Sequence, residues 1–181
     1  MKTTCAVFLL FAASATAQTP FERIEVVAVD STTDASIMLS SARLWIANAF
    51  PNAEAVIQVD DPVTNRIVGK ASSAVNTYNA LDFTMEISCR TGRCRIKLYD
   101  VTHRGIGGIQ SAAGYAPAPS IGPMWDEERC YVPMRSSALQ SEKAAERNMK
   151  ESCAKWRPVI REKLEALVQS FGTSLHKTAA S

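Results

Sequence analysis

The sequence predicts an α+β domain: an antiparallel sheet of about five strands, in β-α-β-β-β-β-α order, with helices packed on one face. Three observations predict it. Asp82–Val101, DFTMEISCRTGRCRIKLYDV, alternates apolar and polar residues on both sides of Thr91-Gly92, which is the period-two signature of a hairpin. Ser36–Phe50 and the segment after Ser136 carry apolar residues at helical spacing instead. Short turns join the strands, and helices on one face of an antiparallel sheet bury both apolar stripes.

In chain order, Phe21–Asp30 reads as a first strand, with Ile24, Val26 and Ala28 alternating against Glu25, Val27 and Val29. Ser31–Ala35 is a turn rich in helix-capping residues. In the following helix Met38, Ala42, Trp45, Ala49 and Phe50 form one stripe, and Pro51-Asn52 ends it. Ala55–Asp60 and Ile67–Ala71 are strands separated by a turn at Pro62–Arg66, and Asn76–Ala80 is a short connection to the hairpin. In the hairpin, a two-residue turn pairs Arg90 with Arg93, Cys89 with Cys94, Ile87 with Ile96, and Met85 with Leu98. Phe83, Met85, Ile87, Ile96 and Leu98 then share one face. Thr84, Glu86, Ser88, Arg95, Lys97 and Tyr99 share the other. A slip of one residue would mix the two sets, so the pattern specifies the register.

His103–Pro123 is rich in glycine and proline and reads as a flexible loop. Met149, Cys153, Trp156, Ile160, Leu164, Leu167 and Phe171 hold a helical stripe in phase over a segment expected at 136–172. Pro158 either kinks one long helix or starts a second.

Lys2, the apolar run Cys5–Ala13 and the small residues Ala15-Thr16-Ala17 read as a secretory signal peptide cleaved after Ala17. The expected mature chain, 18–181, is a single domain with its core at 21–102. It is exported to a bacterial periplasm or beyond and has no transmembrane segment. The formal charge is +2, and +1 once Lys2 leaves with the signal, which gives no bulk charge for nucleic-acid binding. Cys89, Cys94, Cys130 and Cys153 remain, an even number in an oxidising compartment. The hairpin pairs Cys89 with Cys94 at a non-hydrogen-bonded position, where the Cα atoms approach to disulfide range. That leaves Cys130 for Cys153.

The run SARLWIANAFPNAEAVIQVDD (Ser41–Asp61), then RIVGKA (Arg66–Ala71), then the hairpin, resembles domain of unknown function 4468. The features that carry the resemblance are Trp45 and Phe50 on the helix, the Ile57-Gln58 strand, the Ile67-Val68-Gly69-Lys70 strand and the basic return strand Arg93–Val101. It covers residues 24–102. It implies an exported bacterial protein with a TATA-binding-protein-like (TBP-like) fold, and no established activity. That label concerns fold, not DNA binding.

No catalytic constellation, cofactor motif or metal-ligand spacing stands out. His103 follows Asp100 by three residues, but Ser111 has no nucleophile-elbow context, and His103 reads as a surface histidine opening the loop. Asp60-Asp61 before Pro62 reads as a turn start. Gly105-Ile106-Gly107-Gly108 lacks the Lys-Ser/Thr continuation of a phosphate loop. The feature with binding chemistry is a cluster of cations: Arg90, Arg93, Arg95, Lys97 and Arg104. Such a patch suits an anionic envelope component or an acidic envelope protein. The expected function is therefore a non-enzymatic binding or interaction module of the bacterial envelope. Two other readings require specific geometry. A membrane-surface protein would turn the Met149–Phe171 stripe outward. A hydrolase would join His103 to a carboxylate and a nucleophile beside the Gly-rich loop.

Overall fold

The computed structural model describes residues 19–106, 108–111, 114–118, 120–125 and 142–179. Its elements are β1 (Arg23–Ala28), α1 (Ala35–Ala49), α2 (Ala53–Val56), β2 (Ile57–Asp61), β3 (Arg66–Asn76), β4 (Asn79–Arg90), β5 (Arg93–Gly105), β6 (Gly108–Ser111), β7 (Gly114–Pro117), β8 (Gly122–Pro123) and α3 (Glu142–Ala179). The main sheet is antiparallel in the order β1-β5-β4-β3-β2, with β8 pairing the far end of β5. β6 and β7 form a separate hairpin.

The central hairpin has the register its alternation dictates, with Arg90 opposite Arg93, Cys89 opposite Cys94, and Ile87 opposite Ile96. Gly92 takes φ 75° in the turn, a conformation that strains residues with a Cβ. Cys89 and Cys94 form a disulfide with Cα atoms 4.1 Å apart. Cys153 is also disulfide-bonded; its expected partner, Cys130, lies outside the described residues.

Both long helices cover one face of the sheet. Asp34 caps α1 by accepting the Ser36 N–H at 2.7 Å. From α1, Met38, Leu39, Ala42, Trp45 and Ile46 enter the core. From α3 come Met149, Cys153, Ile160, Leu164, Val168, Phe171 and Leu175. The helices meet where the Trp45 ring stands edge-on to Phe171 at 5.2 Å and its Nε1–H donates to Ser170 Oγ at 2.7 Å. Gly69 on β3 lets α2 lie against the sheet, since a Cβ there would sit 2.7 Å from the Val56 carbonyl oxygen.

Several expectations need correction. The last helix runs to Ala179 instead of ending near 172, and of the two alternatives at Pro158 the structure has one continuous helix; residues 136–141 lie outside the described residues. A helical turn, α2, precedes β2 where the strand was expected to begin at Ala55. The strands flanking Asn76–Ala80 extend until Asn76 pairs with Asn79. The segment 103–123 is not simply loop: β5 continues through Gly105, and β6, β7 and β8 follow.

The change that matters most for the site lies in β5. Its inward residues run Cys94, Ile96, Leu98, and then Val101 and His103. The step from Leu98 to Val101 opposes the shorter step from Met85 to Phe83, and the register shifts there. Asp100, at φ 53°, marks the bulge. The extra residue reverses the alternation, so His103 points into the core and is fully buried instead of lying at the surface.

Candidate functional site

With both long helices on one face, no described helix covers the other face of the sheet. Register places Arg93 opposite Arg90 on β4 and Ala28 on β1, and Arg95 opposite Ser88 and Val26. These side chains share the outward face, because Cys89 and Cys94, next to them on each strand, point into the core. Arg90, Arg93 and Arg95 are exposed. Arg90 and Arg93 are a directly opposed like-charge pair, which is unfavourable across two strands.

The other cations of the expected patch are engaged. Arg104 makes a two-pronged contact with Asp82 at 2.6 and 3.1 Å. Lys97 pairs with Glu22 at 2.7 Å and lies over the Tyr99 ring. Glu86, which stands opposite Lys97 in register, bonds Arg66 instead at 3.0 Å. The patch therefore contracts to Arg90, Arg93 and Arg95.

The tip that carries these arginines is held by the β1–α1 loop. Val29 N–H donates to the Gly92 carbonyl at 2.9 Å, and Gly92 N–H donates to the Thr33 carbonyl at 3.0 Å. The acids of that loop serve the loop itself. Asp30 accepts the N–H and hydroxyl of Thr32, and Asp34 accepts Ser36 N–H. These backbone hydrogen bonds hold both carboxyls below their ordinary pKa.

His103 belongs to a separate, buried environment. Its Nδ1 accepts the Ile121 N–H at 3.1 Å, which leaves the proton on Nε2. Its ring lies 4.9 Å from that of Trp156. Desolvation pushes its pKa below the ordinary histidine value. His103 Nε2 and Trp125 Nε1 are buried without a hydrogen-bond partner, so no described carboxylate or nucleophile bonds the free ring nitrogen. The hydrolase geometry is not assembled among the described residues.

Asp60 receives a bidentate contact from Arg43 at 2.8 and 2.7 Å, and Asp61 caps the β2–β3 turn through Val63 and Thr64. Among the described residues no group of three His, Cys, Asp or Glu converges as a metal site would require. No described helix is long and apolar enough to cross a membrane. The described α3 stripe, Met149 to Phe171, faces the core and not outward as a membrane-surface helix requires.

Two features lay outside the sequence reading. The bulge at Asp100 is one; its signal is apolar Val101 breaking the phase set by Leu98. The other is the free edge of β1. A groove of about 510 Å³ runs beside it, between β1 and α3, and is lined by Val27, Val168 and Gly172 with Arg23, Glu165 and His176 among its polar residues. Arg23 grips Glu165 at 2.8 and 3.0 Å, closing the sheet onto α3 at one end.

Comparison with known proteins agrees with this architecture. Residues 24–104 match the family described as a domain of unknown function (DUF4468) with TBP-like fold. A DUF4468 family protein from Bacteroides ovatus, known from its crystal structure, superposes with a TM-score of 0.55 over 86% of each chain at 14% identity. A TBP-like protein from Parabacteroides distasonis gives 0.47 over 83% of this chain and 91% of its own, at 12% identity. No curated protein matches. Residues 24–104 are thus similar to the DUF4468 family, and the chain has the α+β fold of its solved neighbour.

Proposed function

We propose that this chain is an exported, non-enzymatic binding module that engages an anionic component of the bacterial envelope through the open face of its sheet. One observation carries the reading: Arg90, Arg93 and Arg95 stand together on that face, two of them directly opposed, and none forms an ion pair with a described acid. An anion bridging Arg90 and Arg93 relieves their repulsion and gains charge-assisted hydrogen bonds from planar guanidinium groups. Three other cations of the face support this by being already paired, in Arg66–Glu86, Lys97–Glu22 and Arg104–Asp82. Export is supported by the leader-like first residues and by the paired cysteines of the mature chain.

The test titrates purified protein with a soluble polyphosphate and with vesicles of an anionic phospholipid, at low and high salt. Binding is expected to weaken with salt. It is expected to fall about tenfold or more in the Arg90→Ala/Arg93→Ala/Arg95→Ala variant, a loss of about 1.4 kcal/mol. Equal binding by the variant overturns the reading.

A further inference from the structure

The two edges of the sheet are unlike. β2 is interrupted by a register shift between Ile57 and Val59 and ends in Asp60-Asp61, both engaged in side-chain bonds. Bulges and charges of that kind protect an edge from further pairing. β1 has neither device along its outer row. It runs six residues in unbroken register with β5, and among the described residues nothing pairs with its other side. Its outward side chains are Ile24, Val26 and Ala28, with Ile24 40% and Val26 54% exposed.

The backbone of that edge is available at Val26 and Ala28, while the Ile24 carbonyl already accepts the Arg23 guanidinium. Val29 N–H points toward the hairpin, where it donates to the Gly92 carbonyl of the turn before β5, so by alternation Val27, Glu25 and Arg23 also direct their amides toward β5. Ile24, Val26 and Ala28 therefore present N–H and C=O groups outward. The Ile24 carbonyl, which accepts the Arg23 guanidinium at 3.0 Å, shows this directly.

We propose that β1 is a strand-addition site, and that its occupant is an extended segment of a partner polypeptide with acidic residues on one face and small apolar residues on the other. The apolar side chains enter the groove above Val27, Val168 and Gly172. The acidic ones lie on the open face, in line with Arg93 and Arg95, which stand opposite Ala28 and Val26. The strands at issue are two spacings apart, about 10 Å, a gap that an arginine and a glutamate side chain span together. Main-chain hydrogen bonds hold the segment and the alternating side chains select it. The inference shares Arg93 and Arg95 with the anion-binding reading and adds to it a backbone requirement that a simple polyanion lacks.

The test uses a fluorescently labelled peptide of alternating valine and glutamate, as long as β1, and its lysine-for-glutamate counterpart. The glutamate peptide is expected to bind and to slow amide hydrogen exchange at Ile24, Val26 and Ala28, while Val27, already bonded to β5, changes little. Val26→Pro removes one outward N–H at an edge position where proline is tolerated. It is expected to weaken the peptide about tenfold and to leave polyphosphate binding unchanged. The exchange measurement on the unaltered protein stands whether or not that variant folds. Failure to bind, equal binding of the lysine peptide, or binding without protection of β1 each overturn the proposal. Self-association abolished by Val26→Pro would overturn it too, by giving the edge to a second copy of the chain. Loss of polyphosphate binding in the triple-arginine variant concerns the anion reading alone.

Discussion

His103 is the residue whose chemistry differs most from its sequence context. It is neutral in the fold because burial opposes its charge and because Nδ1 must stay unprotonated to accept the Ile121 N–H. Lys155 and Arg157 are the cations on the adjoining turn of α3, next to Trp156, which packs on the ring; Lys155 lies over the Trp156 ring and Arg157 donates to the Trp125 carbonyl. Asp82 and Arg104, on the neighbouring strands, are occupied with each other. The unfolded chain takes up a proton near pH 6.5 that the folded chain resists. The stability His103 contributes is therefore complete above that pH and is lost as pH falls below it, by at most about 1.4 kcal/mol per pH unit. Thermal melts between about pH 7.5 and about pH 5 are expected to show this decline. His103→Asn keeps an acceptor for Ile121, and its melts should show a flatter profile in that window. They should also show a loss of about 1–3 kcal/mol at neutral pH from the missing contact with Trp156. An unchanged slope in the variant would assign the decline to other groups.

At the scale of elements, α3 crosses the core as one helix despite Pro158. The proline has no N–H for the carbonyl four residues earlier, and its ring crowds that carbonyl. It sits on the solvent side, so no core contact depends on it. Pro158→Ala is expected to raise stability by about 1–3 kcal/mol, read as a higher urea midpoint at unchanged m-value. A lower midpoint would mean that a bend at Pro158 is needed to seat both Cys153 and Leu164. The elements legible in the sequence were those with an unbroken period. The hairpin register followed from Phe83, Met85, Ile87, Ile96 and Leu98 around one turn, and both helices from stripes at helical spacing. What stayed hidden depended on a break in period or on distant pairing. One bulge at Asp100 turned His103 inward. β8, two residues long, exists only because β5 lies beside it. The patch expected at Arg90, Arg93, Arg95, Lys97 and Arg104 was visible as a cluster. That Glu22 and Asp82 would neutralise two of its members was not, because Glu22 lies far away in sequence and Asp82 reaches Arg104 only across the paired strands.

For the molecule as a whole, the one-sided layering decides what each surface can do. The face under α1 and α3 holds the apolar stripes, and the face without helices holds the arginines. The disulfide belongs to the same division, since Cys89 and Cys94 point into the core while the residues beside them point out. Closing so small a ring stabilises the fold by about 2 kcal/mol in the chain-entropy account. Its larger consequence is kinetic. The ring Cys89–Cys94 persists when everything else has melted, so the two central strands are never more than a turn apart in the denatured chain. Pairing can start at the tip and zip toward Asn79 and Gly105, with β1 and β3 adding to the flanks of a hairpin already formed. Contacts made this early act on the rate of folding more than on the rate of unfolding. Cys89→Ala/Cys94→Ala is therefore expected to slow refolding in stopped-flow experiments while leaving the unfolding limb nearly in place. A variant that chiefly unfolds faster would show that the hairpin closes late. On this account the cysteines act as a permanent seed at the centre of the sheet, which places the arginine-bearing tip among the first parts of the molecule to take shape.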